Sequence, residues 1–263
     1  MPSSTDPVLY TLENRVAIVR LNQPETRNAM TPEMGQALAD AIDRGAKEAG
    51  AIALLGSEKA FCAGANLKSS RMENPTPDLD MGENLEHIFN PLLLRMRDLP
   101  IPIVSGISGA AVGVGCSIAL MGDIIVAGKS GFFLQAFCNV GLVPDGGAAY
   151  ILSKSIGRIR AMELMLLGER YPAERAYQDG LITKVVDDTE VTNTALEYAS
   201  RLAAGPSIAL GLIRRAAWAS LDSDFNAQLE LDRVNQRIAG RTEDFKEGTA
   251  AFRERRKAEF KGK

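Results

Sequence analysis

Ile101-Pro-Ile-Val-Ser-Gly-Ile-Ser-Gly-Ala-Ala-Val-Gly113-Val-Gly-Cys-Ser117-Ile-Ala-Leu-Met-Gly122 carries no charge and is long enough to cross a bilayer. Its composition argues against that use. Pro102, three serines and five glycines would make a weak lipid-facing helix, and Asp123 closes the run without a basic flank. The better reading is a buried strand over Pro102–Ile107, a glycine-rich turn, and a buried helix over Cys116–Met121. A strand that feeds a buried helix through a tight turn is a unit of an α/β core.

The flanking sequence fits that unit. Val16–Leu21 is a β-branched run and Ile52–Leu55 a short apolar one; both read as strands, as do Ile124–Ala127 and Phe132–Phe137. Thr31-Pro32-Glu33 is a helix start, with Thr31 as N-cap and Pro32 at the first helical position. That helix runs to about Ala49, and a second covers Glu83–Arg97. Beyond Gly147 helices dominate: Ala161–Leu167, Ala173–Asp179, Val191–Ala203, Ile208–Ala219, Phe225–Ile238 and Glu243–Lys257, with one strand at Ile182–Val186. The expected organisation is an α/β core over residues 1–200 and a helical C-terminal region over 201–263. Pro75–Asp80 reads as a mobile polar segment.

Composition narrows the function classes. The chain has 263 residues with 46% hydrophobic and 24% charged, which excludes disorder as the main state. Three separated cysteines exclude a disulfide scaffold and fit a reducing compartment. One histidine, His87, excludes multi-histidine metal sites, so no metal is expected. A net charge of −3 argues against general nucleic-acid binding. The polar start of the chain has no signal-peptide pattern, so a cytoplasmic location without membrane attachment is expected.

Two apparent nucleotide motifs fail. Asp123 to Ser130 lacks the first glycine of a phosphate loop and has a β-branched run where the loop should be. Gly113-Val114-Gly115 lacks the third glycine of a dinucleotide fingerprint. A serine triad through His87 would need a nucleophile elbow, and Gly-x-Ser-x-Gly is absent.

Three small-residue loops carry chemistry more naturally. The turn before Cys116 can present the Val114 N–H to a negative oxygen, or it can be only a tight turn. Phe61-Cys-Ala63-Gly64-Ala65-Asn66-Leu67-Lys68 can aim the Ala65 N–H in the same way. Gly141-Leu-Val-Pro144-Asp145-Gly-Gly147 sets one carboxylate among apolar groups, which favours a retained proton and a base. Taken alone, Asp145 reads more readily as a helix N-cap. The basic tail Arg253–Lys263 is either a solvated helix face or a contact for an anionic ligand.

Together, Pro24-Glu-Thr-Arg27-Asn28-Ala29-Met30, Phe61–Lys68, Gly109–Gly115 with Asp123, Gly141–Gly147, Gly157-Arg-Ile-Arg-Ala161 and Gly240–Gly248 resemble the crotonase (enoyl-CoA hydratase/isomerase) family over nearly the whole chain. The resemblance implies a spiral of ββα turns, C-terminal helices that build trimers or hexamers, and an acyl-CoA thioester as substrate with no separate cofactor. It implies that the Ala65 and Val114 amides hold the thioester oxygen, and that Gly113 and Pro144 border the acyl group. Arg27, Ala29, Ala63, Gly64, Asn66, Leu67 and Lys68 would border the CoA moiety, Arg27 reaching toward its phosphates. Hydratases of the family carry two glutamates; this chain has Ser117 and Phe137 at those positions. That departure favours the isomerase branch, whose members use a carboxylate in the Asp145 loop to shift a double bond or rearrange a ring epoxide. The alternatives are a hydratase, an aryl-CoA dehalogenase-like enzyme and a non-catalytic CoA binder.

Overall fold

A computed structural model describes residues 5–66 and 78–263. The expected site residues Leu67 and Lys68, and residues 75–77 of the segment Pro75–Asp80, lie outside the described residues.

The chain begins with an antiparallel pair, β1 (Val8–Glu13) and β2 (Val16–Leu21). The helix α1 (Pro32–Glu48) follows, started as its sequence predicts: the Thr31 hydroxyl accepts from Met34 N at 3.2 Å, and Pro32 occupies the first turn. Met34, Leu38, Ala41, Ile42 and Gly45 form its buried face at helical spacing. Then strands alternate between two sheets. β3 (Ala51–Leu55), β5 (Ile103–Ile107) and β7 (Ile124–Gly128) join one sheet; β4 (Ala60–Cys62), β6 (Ala110–Val112) and β8 (Phe132–Leu134) join the other.

Each turn of chain thus gives one strand to each sheet and moves one place along both. The larger sheet has the order β1-β2-β3-β5-β7-β10 and is parallel from β2 onward, ending on β10 (Lys184–Val186). The smaller has the order β4-β6-β8-β9, closed antiparallel by β9 (Tyr171–Pro172). This is the spiral of repeated turns that the family resemblance implies.

Between β5 and β7 the uncharged stretch makes β5, β6 and the short helix α3 (Val114–Leu120), every residue of which is buried. A helix apolar all round belongs in a core, which accounts for its membrane-like sequence. Among the described residues no helix is long and apolar enough to cross a membrane.

Several boundaries differ from expectation. Glu83–Arg97 is a π-turn at Leu85–Phe89 followed by α2 (Asn90–Asp98), because Pro91 has no N–H to continue the usual ladder. The strand expected over Phe132–Phe137 stops at Leu134, where its partner β6 ends, and a 3₁₀ turn over Ala136–Val140 replaces the rest. The helix at Ala161 begins much earlier: α4 spans Ala148–Leu167 and bends at Gly157. The strands β1, β4, β6 and β9 were not expected; three of these have three residues or fewer, too short for periodicity to reveal.

After α5 (Ala173–Gln178) and β10, the helices α6 (Val191–Ala203), α7 (Ser207–Ser220), α8 (Phe225–Ala239) and α9 (Glu243–Glu254) complete the chain. Arg214 fastens α7 to the core. Its buried guanidinium donates to Asp123 Oδ2 at 2.7 Å and to the carbonyls of Met96, Arg97 and Leu99 at the end of α2. The tail is not helical to Lys257. Arg255 takes a left-handed cap, and the chain folds back so that Asp244 accepts from Lys261 N at 2.7 Å and Gly262 N at 2.8 Å. Arg256 is paired with Glu247 at 2.6 Å, so this arginine of the basic tail is held within the chain.

Candidate active site

The site is made where three chain segments meet above the smaller sheet. In the first, Asn28 sits in a left-handed conformation, φ 56°, with no solvent exposure. Its Nδ2 donates to the carbonyls of Ala60 at 3.1 Å and Phe61 at 3.0 Å, and its Oδ1 accepts from Gln23 N at 2.8 Å. Asn28 therefore clamps the segment after β2 against β4. Motif reading quoted this residue but gave it no role; an asparagine's tolerance of the left-handed region was the available signal.

The clamped segment then orients the second. Met30 N donates to Gly64 O at 2.7 Å, Asn66 N to Met30 O at 2.9 Å, and Ala63 N to Arg27 O at 3.0 Å. In this parallel bridge Met30 bonds both neighbours of Ala65. The Ala65 N–H consequently faces away from Met30, toward the cavity. Arg27 itself is exposed, and Ala29 is partly buried.

The third element is the turn into α3. Gly113 has φ 52° and ψ −126°, a backbone that a side chain would strain, and its N–H donates to Leu134 O at 2.8 Å. Its carbonyl accepts from Cys116 N and Ser117 N, leaving the Val114 N–H as a free first-turn donor. Helix and strand lie so close that a Cβ on Gly115 would stand 2.5 Å from Cys62 Sγ. Among the described residues neither the Ala65 nor the Val114 amide has a hydrogen-bond partner.

Ala65 and Val114 both line a cavity of about 210 Å³. Ala63, Gly64, Gly113 and Phe137 share its wall with them. Leu85, Phe89, Val140 and Leu142 make it apolar. Asp145 also lines it, with Oδ1 buried and unpartnered. The helix that follows is capped by Gly147, and no side chain bonds its first amides. The N-cap reading of Asp145 is thereby corrected: two left-handed glycines, Gly146 and Gly147, carry the carboxylate away from the helix start. Burial alone pushes its pKa up to about 6. Asp80 and Glu83, on the segment leading into the π-turn, are the other acidic groups on the wall; Asp80 Oδ1 accepts from Gly82 N at 2.7 Å. The apolar contributors from the π-turn and the 3₁₀ turn were not foreseen, because neither irregular turn has a sequence period.

Two expected acyl-side residues stand elsewhere. Ser117 is fully buried behind the loop, donating from Oγ to the Asp145 carbonyl at 3.3 Å, and Pro144 is not on the cavity wall. His87 is exposed on the π-turn, away from any relay. The Cys62 and Cys116 thiols are pushed up to about 12 by burial, so neither is a thiolate nucleophile at neutral pH. A larger groove of about 1250 Å³ runs between α2, α4 and α7, past Arg97, Tyr150 and Trp218. Its lining includes none of Ala65, Val114 and Asp145.

Two residues with unpartnered backbone N–H groups and one half-buried carboxylate thus line a single apolar cavity, set in a two-sheet spiral. The chain belongs to the enoyl-CoA hydratase/isomerase family, whose model matches residues 11–263. It is 38% identical over 258 residues to 1,2-epoxyphenylacetyl-CoA isomerase of Escherichia coli K12, covering 97% of this chain and 98% of that protein. It is 30% identical over 258 residues to the trans-2-decenoyl-[acyl-carrier-protein] isomerase of Streptococcus mutans, at 97% and 98% coverage. The crystal structure of an enoyl-CoA hydratase subunit from Geobacillus kaustophilus superposes with a TM-score of 0.91 at 31% identity, covering 99% of this chain and all of that one. Relatives of both names therefore share its fold.

Proposed function

We propose that this enzyme isomerises an enoyl-CoA, with Asp145 as the base and the Ala65 and Val114 amides as the oxyanion hole. The observation that carries this reading is the unpartnered Asp145 carboxylate on the same small apolar cavity as two unpartnered amides. The carboxylate takes a proton from the carbon beside the thioester carbonyl. The electron pair moves onto the carbonyl oxygen, where the two N–H groups hold it. Protonated Asp145 returns the proton farther along the conjugated chain, and the double bond shifts with no net gain or loss of atoms. Donors fixed by Met30, Leu134 and the α3 backbone need no rearrangement when the charge develops.

Hydration would need a second carboxylate to activate water. The positions where family hydratases carry glutamates hold Ser117, which is behind the loop, and Phe137, whose ring lies 3.4 Å from where a Gly113 Cβ would be. The relatives include a 1,2-epoxyphenylacetyl-CoA isomerase, which supports an isomerase reading. A hydratase reading is favoured by the relatives named as hydratases and by Glu83 on the cavity wall. The deciding experiment compares crotonyl-CoA hydration with 3-hexenoyl-CoA isomerisation in one preparation. Isomerisation at least tenfold more efficient is expected. Hydration of equal or greater efficiency, abolished by Glu83→Gln, would replace this reading.

The chain's helical end supports a trimer or hexamer as the working state. Phe225 is 76% exposed and Phe252 85%, and Leu229 and Phe245 are exposed beside them. Apolar groups at that density on α8 and α9 fit contact with further copies of the chain.

A further inference from the structure

Ser117 lies on α3 with no solvent exposure, and its hydroxyl donates to the Asp145 carbonyl at 3.3 Å. The loop on the other side of that bond is pressed against it. A Cβ on Gly146 would stand 3.0 Å from both Cβ and Oγ of Ser117, and 3.2 Å from Leu93 Cδ1. Helix and loop are thus in van der Waals contact at this one residue, with Leu93 of α2 completing the enclosure. A glutamate would bring three more heavy atoms to this contact. Along the present rotamer its next atoms run into the Asp145 carbonyl. Cores respond to such overpacking by shifting backbone, and the backbone that would shift is the one carrying Asp145.

We propose that Ser117 is the positioning residue that fixes which proton-transfer chemistry this cavity performs. Its small volume admits the Asp145 loop against α3, its hydroxyl holds the Asp145 carbonyl, and a glutamate at 117 and Asp145 in its present place exclude one another. The inference rests on Asp145 being the base and explains why the two carboxylate arrangements do not coexist in this chain. Residue 117 acts through the loop and does not line the cavity.

The test uses the full-length enzyme and three variants: Ser117→Ala, Ser117→Glu and Asp145→Asn. Isomerisation of 3-hexenoyl-CoA is measured as kcat, KM and a pH–rate profile, with folding checked by circular dichroism. Ser117→Ala keeps the space and deletes the hydrogen bond. It should lower kcat about 5–10-fold with KM nearly unchanged. Its acid limb should move down by about half a pH unit, because a looser loop returns the carboxylate to water. Asp80 and Glu83 face the same cavity, but burial is the cause of the raised Asp145 pKa, so the limb should respond to how the loop packs. Ser117→Glu should lose isomerisation by about 10² or more, the scale of removing a general base. Unchanged kcat and pH profile in Ser117→Ala, or near wild-type isomerisation in Ser117→Glu, would overturn the proposal. Should Ser117→Glu not fold, the alanine variant decides. Asp145→Asn separates the two levels: full activity there removes the base itself, whereas an inactive Asp145→Asn beside an unaltered Ser117→Ala removes only the role of Ser117.

Discussion

Replacing Asp145 by asparagine should make the protein more stable and nearly inactive. The carboxyl titrates at about 6 in the folded chain against 3.8 for a free one, and its cause is burial without a compensating partner. Each pH unit of such a difference is about 1.4 kcal/mol, so the ionised group opposes folding at pH 7 by at most ~3 kcal/mol. Partial solvent access screens it, and the asparagine amide also goes unpartnered, which leaves a net gain of ~1 kcal/mol. For a chain of this size that is a rise in Tm of about 2–4 °C. The sign follows from the raised pKa. Below about pH 4 the acid is neutral folded and unfolded, and wild type and variant should melt together. As pH rises through about 6 the wild type loses this contribution and the gap opens. Scanning calorimetry from pH 4 to 8 measures the gap. Turnover of 3-hexenoyl-CoA, followed by the absorbance of the conjugated thioester, should fall by about 10²–10⁴. A variant several degrees less stable at every pH would show that the carboxylate makes a stabilising bond, and retained turnover would show that it is not the base.

Wild-type kcat/KM should fall as pH drops through about 6, where Asp145 takes up its proton; a flat profile down to pH 5 would contradict it. Ala65→Pro deletes an oxyanion donor and should cost about 10²–10³ in kcat, whereas Ala65→Ser, which keeps the N–H, should cost little. Equal losses in steady-state assays of both would point to packing at this loop. Arg214→Ala removes the donor shared by Asp123 and the carbonyls of Met96, Arg97 and Leu99 and should destabilise by ~2–3 kcal/mol in denaturant titration, with Arg214→Lys recovering part of it. Sedimentation should find a trimer or hexamer, and Phe252→Glu with Phe225→Glu should shift it toward monomer; a fully active monomer would contradict the association reading.

The fold class was legible in the sequence because its signals are local. Thr31-Pro32 starts a helix by filling its first-turn requirements whatever surrounds it, and the uncharged run from Ile101 can only be a membrane span or a core, with its one proline, its serines and its glycines deciding between them. The small-residue loops also announced where backbone could be exposed. Other features needed the third dimension. Asp145 looks like a cap in sequence, since it stands just before a helix, and only the left-handed glycines after it turn its carboxylate into a cavity instead. The freedom of the Ala65 amide depends on Met30, which bonds the neighbours on either side, a pairing between residues far apart in the chain. Ser117 reads as an absent glutamate, and its contact with the Asp145 carbonyl appears only when α3 and the loop pack. Strands of two or three residues such as β4 and β9 have no period to read and exist because neighbouring strands bond them. Local sequence sets backbone preference over a few residues. A hydrogen bond left unmade, or a carboxylate left without a partner, is a property of what distant segments have already taken.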